Sequence, residues 1–187
     1  MLSLSEADCR AALQLARTAV VEAVSHRQLP DVFPREGIFA ERRGVFVTLR
    51  LGKRLQGCIG VVEANEPLGE AIVRCAASAA LEDPRFAPTR TDQLGELSIE
   101  ISLLSPMEPI APESIEVGHH GLVIQLHAQR GILLPQVAIE HRLTREQFLE
   151  ETCRKAGLRR EAWRDPEARL FGFTCEVFSE STHPERV

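Results

Sequence analysis

SIEISLL, residues 98–104, is the stretch whose reading decides the fold. Ile99, Ile101 and Leu103 fall on one face and Ser98, Glu100 and Ser102 on the other, the period of a half-buried strand. Upstream, Val45, Val47 and Leu49 alternate in the same way, and after Leu51-Gly52-Lys53-Arg54 the segment Leu55 to Gly60 reads as a hairpin return. Phe171, Phe173, Cys175 and Val177 alternate as a closing strand. Leu122 to Leu126 and Ile132 to Leu134 are expected to pair around a polar turn ending in Gly131.

Between these strands lie helix signals. Ser3 or Ser5 can cap a helix over Glu6 to His26, Ser3-x-x-Glu6 having capping-box spacing, with Leu13, Ala16, Val20 and Val24 as its apolar stripe. Leu29-Pro30 and Phe33-Pro34 break the pattern into a loop. Pro67 reads as a first helical position, and that helix runs to about Leu81 before Asp83-Pro84 stops it. Its alanines 71, 76, 77, 79 and 80 predict a closely packed neighbour. Thr144-x-x-Gln147 caps another helix with Phe148, Leu149 and Cys153 inward, closed by Gly157. Hairpin-linked strands with interspersed helices predict an α+β chain, an antiparallel β-sheet with flanking helices. Pro106, Pro109 and Pro112 place a lobe boundary near 105–113 within one domain spanning 1–187.

The chain's 187 residues suffice for one full core, or a larger lobe with a smaller one attached. Twenty-seven acids against 22 bases give a net charge of −5, which argues against a general grip on nucleic acid. There is no Tyr, and the eight Phe and one Trp lie mainly in apolar runs, so a base-stacking surface is poorly supported. Glu6 and Asp8 interrupt the start of the chain, against a signal peptide, and nothing approaches the roughly 18 apolar residues of a membrane span. The five cysteines are odd in number, widely spaced and without CxxC, which fits reduced thiols in a cytoplasmic protein.

Four constellations carry chemistry. LQGCIG, residues 55–60, sets Cys58 between glycines; with plain alternation Arg54, Gln56 and Cys58 share a face. Either Gly57 and Gly60 let the alanine-rich helix dock over a buried cysteine, or they clear room for a ligand beside an accessible thiol. A thiol with an ordinary pKa near 8.5 is only about 3% ionised at pH 7, so a nucleophile there needs a base or a cation beside it. In VGHHGL, His119 and His120 sit at the mouth of a strand, as a base or ligand or as a solvated turn; two histidines alone do not meet zinc spacing. In EDPRF, Arg85 follows a constrained bend that aims it at an anion or pairs it with Glu100 or another acid. In LLPQVAIE, Pro135 ends a strand or sits on a sheet edge, and Gln136 and Glu140 follow in a segment able to line a cleft.

In this order the pieces resemble the AMMECR family (AmmeMemoRadiSam system protein A). The resemblance runs from about Leu13 to Glu180 and rests on LQGCIG, AASAALEDPRF (76–86), LSIEISLLSP (97–106), GHHGLVI (118–124), LLPQVAIE (133–140), FLEETCRKAGL (148–158) and FTCEVFSE (173–180). It implies an α+β fold, a larger lobe and a smaller lobe with a cleft between, and no settled reaction or cofactor. It implies a Memo-like protein and a radical-SAM protein as partners by association alone. The family signature usually reads LRGCIG, with arginine where this chain has Gln56. On one strand face, about 7 Å away, such an arginine would favour a thiolate by roughly 2 kcal/mol at an effective dielectric near 20.

Two functions compete. In the first the protein binds a small ligand as an enzyme: Cys58 is the nucleophile, His120 the general base or acid, Arg85 holds an anionic group, and Gln56, Gln136 and Glu140 bind the substrate. In the second it is a non-catalytic adaptor, Cys58 is packing, and Arg85 or Arg42-Arg43 contribute to an interface. Nucleic-acid binding, supported only by scattered arginines, ranks last, and no metal site is expected.

Overall fold

A computed structural model describes residues 4–30, 34–63 and 65–180. It divides into two compact units: one holds the described residues of Met1–Leu103 and Glu176–Val187, the other Leu104–Cys175.

The first unit opens with α1 (Glu6–His26), capped by Ser5. The Asp8 backbone N–H donates to Ser5 Oγ at 3.2 Å, and Ser5 N–H donates back to Asp8 Oδ2 at 2.9 Å. The reciprocal box thus uses Ser5 with Asp8; the Ser3 alternative lies outside the described residues. Next come β1 (Val45–Leu51) and β2 (Arg54–Val61), then α2 (Leu68–Leu81) and β3 (Leu97–Leu104). Strand β1 lies between antiparallel β2 and β3. The apolar face of the alternation is the buried one: Val45, Val47, Leu49, Ile99 and Ile101 are fully enclosed with Ala76 and Ala79 of α2 and Ala16 and Val20 of α1. Alanine is the residue that lets backbone approach backbone here, which is why the run from Ala76 to Ala80 sits under the sheet. Arg17 of α1 holds the end of the described chain, donating from Nε to Glu180 Oε1 at 2.9 Å and from Nη2 to the Leu97 carbonyl at 2.6 Å.

Strand β2 is not a regular strand. Thr48 pairs with Cys58 and Leu49 with Gly57, but Arg50 pairs with Leu55, which leaves Gln56 as an extra residue opposite no partner. A bulge of one residue exchanges the faces beyond it. Arg54 therefore pairs with Leu51, in the row of Leu49 that packs on the helices, while Cys58 lies on the opposite face in the row of Thr48. The expectation that Arg54, Gln56 and Cys58 share a face fails for this reason: alternation cannot show where one strand carries an inserted residue.

The second unit holds β4 (Glu108–Pro109), β5 (His120–Leu126), β6 (Gln129–Leu133), α3 (Pro135–Glu140), α4 (Arg145–Lys155) and β7 (Arg169–Ser179), whose last residues, 176–179, belong to the first unit. Strand β5 pairs antiparallel with β6 and β7, and β4 with β7. Thr144 and Gln147 form the expected capping box of α4, and Phe148, Leu149 and Cys153 are buried beneath it. Gly157, at φ +72°, closes the turn that follows. The expected turn at Gly131 is displaced: Leu126 pairs with Gln129, so His127 and Ala128 make the turn. Gly131 lies inside β6, where a Cβ would stand 2.4 Å from the Ala156 nitrogen and 2.7 Å from the Thr152 oxygen. Its lack of a side chain lets α4 lie on the strand.

The fold is α+β, an antiparallel sheet flanked by helices. Among the described residues no helix is long and apolar enough to cross a membrane.

Candidate functional site

Strand β2 has a sheet neighbour on one side only, so the backbone groups of its outer edge need partners from elsewhere. At Cys58 those partners are side chains. The Cys58 N–H donates to Asp83 Oδ2 at 2.8 Å, and the Cys58 carbonyl accepts from Arg85 Nη2 at 3.0 Å. The two clamping residues are themselves joined, Arg85 Nε to Asp83 Oδ1 at 2.9 Å and Nη2 to Oδ2 at 2.7 Å. This bidentate carboxylate–guanidinium pair stands where a neighbouring strand would otherwise bond.

The local sequence explains the clamp. Helix α2 ends at Leu81, and Pro84 lacks the N–H needed to continue it. Asp83 accepts the backbone N–H of Arg85 at 3.1 Å, a turn that brings the arginine back over its own carboxylate. The Asp83 side chain is 2% exposed and that of Arg85 56%. The Arg85 hydrogen bonds, joined by the Cys58 N–H, outweigh burial and hold the Asp83 carboxyl far below the usual carboxylate range. Phe86 lies under the guanidinium, 5.3 Å from ring centre to Cζ. The arginine thus has its partner in an acid of its own loop rather than in Glu100, while the outer part of the guanidinium reaches solvent.

Position 56 is drawn into the same loop. The bulge turns Gln56 inward, where it is buried and donates from Nε2 to the Ala87 carbonyl at 2.8 Å. The side chain at the position of the signature arginine therefore tethers the strand to residues 83–87.

The thiol points away from the alanines. Cys58 is half-buried, and its sulfur accepts a hydrogen bond from Thr48 Oγ1 at 3.3 Å. The flanking glycines serve packing. A Cβ on Gly57 would stand 1.9 Å from the Ala79 carbonyl oxygen, and one on Gly60 would stand 2.3 Å from the Phe46 ring. Neither glycine clears room for a ligand, since helix backbone and an aromatic ring fill the two spaces. Gly121 repeats the device in the second unit, under the ring of Phe173. The other cysteines are in different surroundings: Cys9, Cys75 and Cys153 are buried, and desolvation pushes the Cys75 thiol up to about 11 and that of half-buried Cys175 up to about 12.

Gln56, Cys58 and Arg85 thus come together in the first unit, whereas His120, Gln136 and Glu140 belong to the second. His120 Nδ1 accepts the backbone N–H of Glu116 at 3.0 Å, so the neutral ring carries its proton on Nε2. In that tautomer His120 presents an Nε2–H donor. Its ring stands edge-on to His119 with centroids 4.8 Å apart. On α3, Gln136 is half-buried and Glu140 exposed, one turn apart on the same helix face. Among the described residues no group of three or more His, Cys, Asp or Glu side chains is placed to hold a metal ion.

Sequence reasoning missed Asp83 and Thr48 as site residues. Asp83 was legible only as a helix stop, although a carboxylate two residues before an arginine, with proline between, was a usable sign. Thr48 carries no local sign at all; only the strand register brings it to Cys58.

The AMMECR1 family model matches residues 13–178. The chain belongs to the AMMECR1 family. It is 41% identical to a protein of Methanothermobacter thermautotrophicus, covering 95% of this chain and 96% of that one. It is 38% identical to a protein of Aquifex aeolicus, covering 92% and 93% respectively. Among solved structures it is similar to the uncharacterized protein PH0010 from Pyrococcus horikoshii, with a TM-score of 0.82, 36% identity, and coverage of 90% of this chain and 89% of that one. AMMECR1 membership accounts for the α+β fold and for the order of the motifs.

Proposed function

We propose that this AMMECR1 protein presents Cys58 as a nucleophile to a small anionic ligand, on the sheet face opposite α1 and α2, and that it works with Memo-like and radical-SAM partners. The observation that carries the reading is the clamp. Two side chains occupy both backbone groups of one edge residue, and that residue is the half-buried cysteine. Packing alone does not require a cysteine on the face away from the core, nor a guanidinium held beside it with its outer edge exposed. The Thr48 hydroxyl adds a donor that fixes the direction of the sulfur. The association with partners rests on the family resemblance alone, and the His120 donor is assigned no step.

Peptide-mapped alkylation of native protein tests the reading. An exposed guanidinium is worth roughly 0.5–1 kcal/mol to a nearby anion. Relative to free cysteine, Cys58 is therefore expected to favour iodoacetate over iodoacetamide by about threefold. Arg85→Gln should remove that preference while the protein stays folded by circular dichroism. A preference no different from that of free cysteine, or one that survives Arg85→Gln, would remove the anionic ligand from the proposal. Partner capture that survives Cys58→Ser but is lost on charge reversal at Arg85 or Arg42-Arg43 would favour an adaptor instead.

A further inference from the structure

A depression of about 290 Å³ lies in the second unit, away from the Cys58 site in sequence and made by different elements. Leu149 of α4 and Pro112 line its apolar part together with the indole of Trp163. Leu149 is 1% exposed, so this floor is continuous with a packed core rather than a surface ripple. Around it stand Glu113, Arg145, Glu146 and Arg164, two charges of each sign.

These four are not equivalent. Arg164 pairs with Glu146 and lies over the Trp163 ring, 4.6 Å from its centroid, so both are engaged. Arg145 spends only its Nε, on the Ile115 carbonyl at 2.9 Å, which fixes the direction of the guanidinium. Among the described residues its two terminal nitrogens have no hydrogen-bond or ion-pair partner, and neither has the carboxylate of Glu113. The lining thus offers an anchored cation and an anion, and an indole and a leucine lie in the same depression.

We infer that this depression binds a small zwitterion with an apolar side chain, of the free α-amino-acid class, its carboxylate on Arg145, its ammonium on Glu113 and its side chain against Trp163 and Leu149. A ligand of one sign would leave one rim charge facing its like or facing nothing. A purely apolar ligand would desolvate both charges without replacing their water. The volume is at the small end for ligand pockets, about 300 Å³, which suits a molecule of this size.

The composition supplies the reporter: Trp163 is the only tryptophan and the chain has no tyrosine, so indole emission comes from this site alone. The probes are L-leucine, N-acetyl-L-leucine and L-leucinamide, titrated through the millimolar range against the full chain. Saturation-transfer NMR to the leucine methyl groups is the second readout. L-Leucine is expected to bind saturably, and each capped analogue about tenfold more weakly, the loss of one charge-assisted hydrogen bond. Glu113→Gln, at an exposed residue without a partner among the described residues, should weaken L-leucine by the same factor and leave N-acetyl-L-leucine unchanged. No saturable binding by either readout would overturn the inference. So would equal binding of the three probes, or a Glu113→Gln effect that is the same for all of them.

Discussion

Gly57→Ala is expected to destabilise the protein by about 3 kcal/mol or more, seen as a lower urea midpoint with an unchanged slope. The added methyl would stand 1.9 Å from the Ala79 carbonyl oxygen and 2.9 Å from its carbon. Both are backbone atoms of α2, so no side chain can rotate away. Strand and helix must separate, and the separation opens gaps among Ala76, Ala80 and Leu49, all at or near zero exposure. Alanine also favours helix and strand interiors over glycine by roughly 0.5–1 kcal/mol, which works against the effect but is smaller. A change within about 0.5 kcal/mol would mean that α2 does not seat on the strand as described.

Asp83→Ala is expected to cost about 3 kcal/mol. It removes the buried acceptor of the Cys58 N–H and the partner of Arg85 at once. The guanidinium, more than half exposed, recovers much of its loss in water, so the Cys58 amide carries most of the cost. The same carboxylate sets an acid limit. Its native pKa is depressed, chiefly by hydrogen bonding to Arg85, whereas in the unfolded chain it titrates near 3.9. In the window between the two values the unfolded state binds more protons, so stability falls as pH falls. The contribution is complete above about pH 5 and declines progressively below pH 4. Urea midpoints between pH 7 and pH 2.5 should show this decline in the wild type and a shallower one in Asp83→Asn. Parallel pH profiles for the two proteins would mean that the carboxylate is not held as described.

What could be read from the sequence follows from how local the determinants are. SIEISLL and VFVTL declare their inward residues because burial acts on alternate positions, and the box at Thr144 and Gln147 is complete within four residues. The bulge at Gln56 was illegible because it exists only between two strands: the inserted residue is defined by what faces it on β1. The same limit hid Thr48 from view and misplaced Arg54. Gly131 read as a turn residue because glycine commonly marks turns, whereas here the reason is the backbone of α4, remote in sequence. For Cys58, both of the opposed readings held something true. The glycines beside it serve packing, Gly57 against α2 and Gly60 under the Phe46 ring, and yet the sulfur lies on the sheet face opposite the helices.

The account rests on the accessibility of that sulfur in the folded protein, and one measurement addresses it directly: the order in which the five cysteines react with iodoacetamide under native conditions, resolved by peptide mass. The structure leads to modification at Cys58 first, with Cys9, Cys75 and Cys153 withheld by burial until the chain is unfolded in urea and half-buried Cys175 slowed by a thiol pKa raised to about 12. A Cys58 that stays unmodified until unfolding, or that reacts no sooner than Cys75, would contradict it.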